Sequence, residues 1–260
     1  MLPEKMENDN LYNKIQELFG NMPGNFSILE EQIDLDLQME YFETSKSLKN
    51  NVNNEETLRS KDDIFDQTRD SDETKELLVR LAAVEDVEAY RTIEKYLENP
   101  DDSLRDWAIL AYQESRMNLE SKLLDENQVF ISTGLGGKND KLRYFIVLLM
   151  RNEQPFSPTQ EKVVRNEMSY ILKKSDAEVE EISFHGRFAT MLALVPLEIP
   201  LQDLFDRAIN ECNGYGDFLN ENFVVTNVKK LSVEEVDAFI KKRKLEELEG
   251  PDELDEDELI

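Results

Sequence analysis

The string GLGGK at residues 134–138 is the first candidate for binding chemistry, because glycines beside a lysine can cradle a phosphate group. It does not have the GxxxxGK[ST] spacing of a phosphate loop, and a strand is predicted on both sides of it. A glycine-rich hairpin connection is one interpretation, and an anion-contacting loop is the other. Lys138, Lys141 and Arg143 form a locally basic spot here, so they are candidate ligands for a small anion.

Two single residues could also carry chemistry. His185 is the only histidine of the chain, and histidine is the side-chain type whose ordinary pKa lies near neutral pH. No motif such as GxSxG places a nucleophile for it, so a structural turn histidine and a catalytic base are the two alternatives. Cys212 follows Phe205 and Ile209 in a predicted helix, a context typical of a small buried hydrophobe rather than a nucleophile. We predict no catalytic residue, metal ligand or cofactor.

Charge restricts the class of partner. The 260 residues hold 57 Asp and Glu against 30 Lys and Arg, a formal net charge of −27. Nucleic-acid affinity comes largely from cations that displace counterions from phosphates. We therefore expect no direct nucleic-acid contact and no anionic membrane surface, unless a local basic patch outweighs the total.

The single cysteine excludes an intrachain disulfide and the multi-cysteine zinc frameworks, which fits a reducing, cytoplasmic location. The first ten residues are acidic and do not resemble a secretory signal. The longest apolar run, YFIVLLM, has seven residues, whereas a membrane-spanning helix needs roughly 20.

The acidity is uneven along the chain. Residues 1–130 sum to −17, residues 131–230 to −2, and residues 231–260 to −8. We accordingly predict three regions, namely an acidic helical region over 1–126, an α/β domain over 127–230, and a C-terminal helix with an acidic tail over 231–260.

The helical region includes an amphipathic segment over residues 27–48, in which Ile28, Ile33, Leu37 and either Tyr41 or Phe42 recur near helical spacing. The asparagine-rich residues 47–63 are predicted to be a linker or mobile loop. Helical spacing then continues from about 72 to 124.

The sequence YLENPDDSLRDWAILAY resembles the turn and second helix of a HEAT-type repeat. The matching positions are Pro100, Asp101, Leu104, Arg105, Ala108 and Ala111. The resemblance covers about residues 75–124 and departs at Trp107, where the family has a smaller residue. It implies a stacked helical hairpin, while an ordinary helical hairpin with a Pro-Asp turn is the alternative.

After residue 127 the pattern changes to strands and helices in alternation. From LRYFIVLLMR onward the predicted order is strand, helix, strand, strand, helix, strand, which is that of a ferredoxin-like split βαβ domain. A capping box at Ser232 and Glu235 begins the last helix, and PDELDEDELI is predicted to be a solvated tail. The fold class is thus α+β.

These features favour a non-enzymatic adaptor whose acidic helical surface binds a basic protein partner. If the HEAT-like helix faces outward, Trp107 and Tyr112 are partner-binding anchors beside Asp101 and Asp102, and otherwise the two rings belong to the core. The alternative is a regulatory domain that binds a small anion, and an enzyme using His185 is the third candidate.

Overall fold

The computed structural model describes residues 26–126, 128–152 and 154–249, and of Asn50 and residues 244–249 it describes the backbone alone. The beginning of the predicted helical region and the predicted solvated tail over 251–260 therefore lie outside the described residues.

Helices make up the N-terminal part and flank the sheet. The α-helices are α1 Leu35–Leu48, α2 Asn54–Arg59, α3 Ser71–Ala83, α4 Val87–Tyr96, α5 Arg105–Leu124, α6 Pro158–Lys174, α7 Leu201–Asn213 and α8 Val233–Glu249. Two short 3-10 helices cover Lys49–Asn51 and Lys61–Phe65. None of these helices is long and apolar enough to cross a bilayer.

The strands form one main sheet and one small parallel pair. They are β1 Phe26–Ile28, β2 Val129–Ile131, β3 Gly137–Lys138, β4 Lys141–Met150, β5 Glu178–His185, β6 Phe188–Pro196 and β7 Leu219–Thr226. The main sheet has the antiparallel order β5–β6–β4–β7, with β3 paired to the start of β4, and β1 pairs with β2. The predicted α+β class is confirmed.

The sheet has a buried layer on each face because side chains alternate along a strand. Ile146 and Leu148 of β4 face a core shared with α6 and α7. Phe145 and Val147 face the other way, where Val236 and Ile240 of α8 cover them. The long apolar run of β4 is therefore a strand buried on both faces.

The predicted linker over residues 47–63 is instead folded. It contains α2, the whole 3-10 helix Lys49–Asn51 and the start of the second one. The side chain of Asn53 caps α2 by accepting from the backbone N–H of Glu56, Thr57 is buried, and Val52 and Leu58 pack against the helical core. The apolar residues of this stretch are so widely spaced that the sequence pattern resembles that of a loop. They nevertheless contact the helical core.

The amphipathic segment over residues 27–48 is only partly helical. Phe26–Ile28 is a strand, and α1 begins at Leu35, after Asp34 accepts from two free backbone N–H groups. The Pro-Asp turn of the HEAT-like segment lies between α4 and α5. Its assignment to that family stays a prediction.

Candidate nucleic-acid interface

Helix α6 has a well-defined start and a buried side. Ser157 and Gln160 form a capping box, and Pro158 occupies the first helical position. Val164, Met168 and Leu172 pack into the core under the sheet. These constraints fix which face of α6 meets solvent.

The exposed face of α6 is cationic. Its side chains span an arc of about half the helix circumference, given roughly 100° of rotation per residue. The residues of this basic arc, all exposed, are Lys162, Arg165, Asn166, Ser169, Tyr170, Lys173 and Lys174. No carboxylate lies within the arc, because Glu161 and Glu167 lie outside it at its borders and are half-buried.

Charge sets α6 apart from the other helices. This helix has four cations and two glutamates, whereas no other α-helix that the structure describes has a positive formal charge. Among the described residues, neither Lys162 nor Lys173 has an ion pair with a carboxylate. Lys162 and Lys173 are eleven residues apart, so they lie on one line about 16 Å long.

Arg165 attaches the basic arc to the edge of the sheet. Its Nη1 donates to the carbonyl oxygen of Ile182 in β5 at 2.9 Å, and its guanidinium lies 4.9 Å from the ring centroid of Phe184. One side of the arc is therefore held against β5.

The other side of the arc meets α7. There, the negative charge of Glu167 raises the pKa of Tyr215. Cys212 is buried beneath, and desolvation raises the pKa of its thiol to about 12. A thiol held protonated in this way is not a nucleophile.

The predicted anion site at the glycine-lysine string is already occupied by the protein's own groups. Arg143 makes a bidentate contact with Glu180, at 2.6 Å from Nε and 3.0 Å from Nη2, and Nη1 donates to the carbonyl oxygen of Leu135 at 2.7 Å. Lys141 lies 3.1 Å from Asp176. Only Lys138 is left exposed, so these three residues do not converge on a free anion pocket.

The glycines of this loop permit close backbone contact instead. A Cβ on Gly134 would lie 1.8 Å from the carbonyl oxygen of Val228. Gly136 has a φ of +64°, and a Cβ there would lie 2.4 Å from the carbonyl oxygen of Glu31. The loop is thus a packing junction among three segments, which supports the interpretation as a connection.

His185 lies at the end of β5, in the tight turn to β6. Its Nε2 is 3.3 Å from the hydroxyl of Thr190, and its ring is 5.3 Å from that of Phe188. Among the residues that the structure describes, no carboxylate forms a hydrogen bond with His185. Nor do any three His, Cys, Asp or Glu side chains of the described chain gather into a group that could hold a metal ion.

The predicted anchor Trp107 is a core residue. Its side chain is 2% exposed, its Nε1 donates to the carbonyl oxygen of Lys75 at 3.1 Å, and its ring packs edge-on against Tyr41. The partner-binding prediction for Trp107 is therefore wrong. Helix α5 directs the Trp107 side chain toward α1 and α3, because burial of an indole ring is more favourable in free energy than its exposure to water.

The other predicted partner residues are engaged within the fold. Tyr112 is half-buried, stacks on Tyr90 and shares a 2.6 Å hydroxyl–hydroxyl hydrogen bond with it. The carboxylate of Asp101 accepts from the backbone N–H and hydroxyl of Ser103, which lower its pKa. Asp102 is exposed in the same turn.

Sequence reasoning identified α6 as a helix but missed its basic arc. The signal is nevertheless present in the sequence, since Lys162, Asn166, Ser169 and Lys173 follow helical spacing without an acid on that face. The negative net charge of the whole chain masks this local excess of positive charge on α6.

No family model matches the chain, and no curated protein matches it. Solved structures that resemble part of this chain include two transposases. A candidate transposase from Deinococcus radiodurans R1 has 13% identity and a TM-score of 0.35, covering 41% of this chain and 94% of its own. A REP-associated tyrosine transposase bound to a REP hairpin has 8% identity and a TM-score of 0.31, covering 39% of this chain and 64% of its own.

Both similar structures are described as transposases, and this finding corrects two sequence predictions. The first prediction was that the protein is a non-enzymatic adaptor for a basic protein partner. The second was that it makes no direct contact with nucleic acid. We withdraw both predictions. At these identities and TM-scores the likeness assigns no activity or substrate to this chain.

Proposed function

We propose that this protein binds nucleic acid through the basic arc of α6. The observation that carries the proposal is an exposed helix face with four cations, three neutral polar side chains and no carboxylate, in a chain of net charge −27. A cationic face of this kind is the electrostatic signature of phosphate-backbone binding.

The acidity of the whole chain does not prevent this contact. Residues 131–230, which include α6, sum to −2, and the acidic excess lies in the regions before and after them. At physiological ionic strength charges are screened beyond about 8 Å. The cations of the arc therefore dominate the local field that a bound phosphate experiences.

The arc can be presented rigidly because α6 is held by the sheet. We propose that the order and pairing of β4 to β7 with α6 and α7 is the ferredoxin-like arrangement, in which both helices cover one face of the sheet. Ordered helices lose little entropy on binding, which favours a docking surface on α6 over one on a loop.

The test is equilibrium binding of fluorescently labelled DNA, measured by anisotropy over a series of salt concentrations. We expect binding with a negative slope of log K against log salt, because bound phosphates release counterions. Lys162→Ala and Lys173→Ala should each weaken binding and reduce the magnitude of the slope by about 0.7 to 0.9.

Lys46→Ala is the matched control, because it removes one exposed lysine from the acidic helix α1. It should leave both affinity and slope unchanged. The proposal is wrong if no DNA binds near physiological salt, or if the control weakens binding as much as the two α6 variants do.

A further inference from the structure

Two exposed tyrosine rings lie at one border of the basic arc. Tyr215 is 67% exposed and Tyr170 is 55% exposed, more than any other Tyr, Phe or Trp side chain that the structure describes. Large aromatic rings are normally at least partly buried, because their exposure to water is unfavourable. Tyr170 lies beside the cations of the arc, so its ring offers a flat apolar face to a ligand that those cations attract.

Glu167 is a neighbour of both tyrosines. Its negative charge raises the pKa of Tyr215, and it precedes Tyr170 by three residues on α6. Residues three apart are neighbours on a helix surface. Tyr215, which follows α7, and Tyr170 on α6 therefore lie on the same side of the arc, near Glu167.

A cation lies directly on one of these rings. The Nζ atom of Lys174 is 4.1 Å from the ring centroid of Tyr170. Lys173 is its neighbour in sequence, so a group that stacks on Tyr170 lies within reach of two ammonium groups. Aromatic platforms combined with a row of cations form the typical binding surface for single strands.

We infer that the nucleic acid bound by α6 is single-stranded, with unpaired bases stacked on Tyr170 and Tyr215 and the phosphates following Lys162, Lys173 and Lys174. This inference rests on the proposed function. Paired bases in a duplex are already stacked on each other, so they cannot use the tyrosine rings, whereas every unpaired base has a free π-face. The recognition is therefore tolerant of sequence.

The test compares a labelled dT oligomer of about 16 nucleotides with a duplex of the same length, in the full chain at one salt concentration. We expect tighter binding of the single strand. Tyr170→Ala and Tyr215→Ala should each weaken its binding about 5- to 150-fold, the range that corresponds to one lost base stack.

The salt dependence separates stacking from charge. Neither tyrosine variant should alter the slope of log K against log salt, because a phenol displaces no counterion. Tyr170→Phe keeps the ring and should retain binding, and Phe239→Ala removes an exposed ring from α8 and should have no effect. Circular dichroism confirms that each variant is folded.

The outcomes distinguish this inference from the proposed function. Equal or tighter binding of the duplex, or tyrosine variants that bind the single strand as well as the unmodified chain, would overturn the inference while the lysine variants still report the interface. No binding of either DNA would overturn both.

Discussion

Where α1 meets α5, a carboxylate is buried among hydroxyl groups. The hydroxyl of Tyr41 donates to Oε2 of Glu114 at 2.6 Å, and that of Ser45 donates to Oε1 at 2.7 Å. Both Tyr41 and Glu114 are buried. A buried carboxylate is tolerated only when hydrogen bonds replace its lost hydration, so these residues depend on one another.

Tyr41→Phe should lower the free energy of unfolding by about 1–3 kcal/mol at neutral pH, because Glu114 loses a buried donor. Urea denaturation measures the change. Tyr170→Phe, which removes an exposed hydroxyl, is the matched control and should change it by less than about 0.5 kcal/mol. Similar values for both variants would show that the buried hydrogen bond contributes nothing.

The same tyrosine should make stability fall in alkali. Burial first, and then the negative charge of Glu114, raise the pKa of Tyr41 well above its ordinary value of 10.0. The unfolded chain releases this proton near pH 10 while the folded chain retains it, so stability present below pH 10 is lost as the pH rises further. Above pH 10, the free energy of unfolding of the Tyr41→Phe variant should decline less steeply than that of the unmodified chain.

At the scale of elements, the loop between β2 and β4 determines how close three segments approach. Gly134, Gly136 and Gly137 each lie against a backbone carbonyl of another part of the chain. Leu135 is buried between them and belongs to the core under α8. Side chains larger than hydrogen would push these segments apart.

Gly134→Ala should destabilise the protein strongly, by at least the 1–3 kcal/mol typical of overpacking, because the new methyl group would overlap the carbonyl oxygen of Val228. Thermal unfolding followed by circular dichroism measures this. Gly214→Ala is the control, since its Cβ would lie 3.2 Å from the nearest backbone oxygen and its φ of −58° suits alanine. Equal melting temperatures for the two variants would contradict the packing argument.

At the scale of the whole molecule, hydrogen bonds join the helical part to the α/β part. Strand β1 pairs with β2, the backbone N–H of Leu29 donates to the carbonyl oxygen of Ile131 at 2.9 Å, and Nε2 of Gln38 donates to that of Thr133 at 3.2 Å. The Gln38 side chain is buried. Loss of either part would leave these groups without partners.

We therefore expect both parts to unfold in one transition. The single tryptophan, Trp107, reports on the helical part, and the single cysteine, Cys212, reports on the α/β part. Trp107 fluorescence and the reactivity of Cys212 toward a thiol reagent should change at the same urea concentration. Two separate midpoints would show that the shared hydrogen bonds do not couple the parts.

The sequence by itself determined the secondary structure wherever spacing was regular. The capping box at Ser157, the apolar run of β4 and the Pro-Asp turn before α5 all follow from local chemistry. Net charge and the single cysteine were likewise evident. Local signals were insufficient at residues 47–63, where Thr57 is buried and Leu58 packs against helices that are remote in sequence.

Only the tertiary structure decided which charged and aromatic groups are free. Arg143 and Lys141 are next to the glycine loop in sequence, but the fold pairs them with Glu180 and Asp176. Trp107 is buried in the core, whereas Tyr170 and Tyr215 are exposed at the surface. Whether a side chain can bind a ligand depends on the partners that folding brings to it, and those partners are remote in sequence.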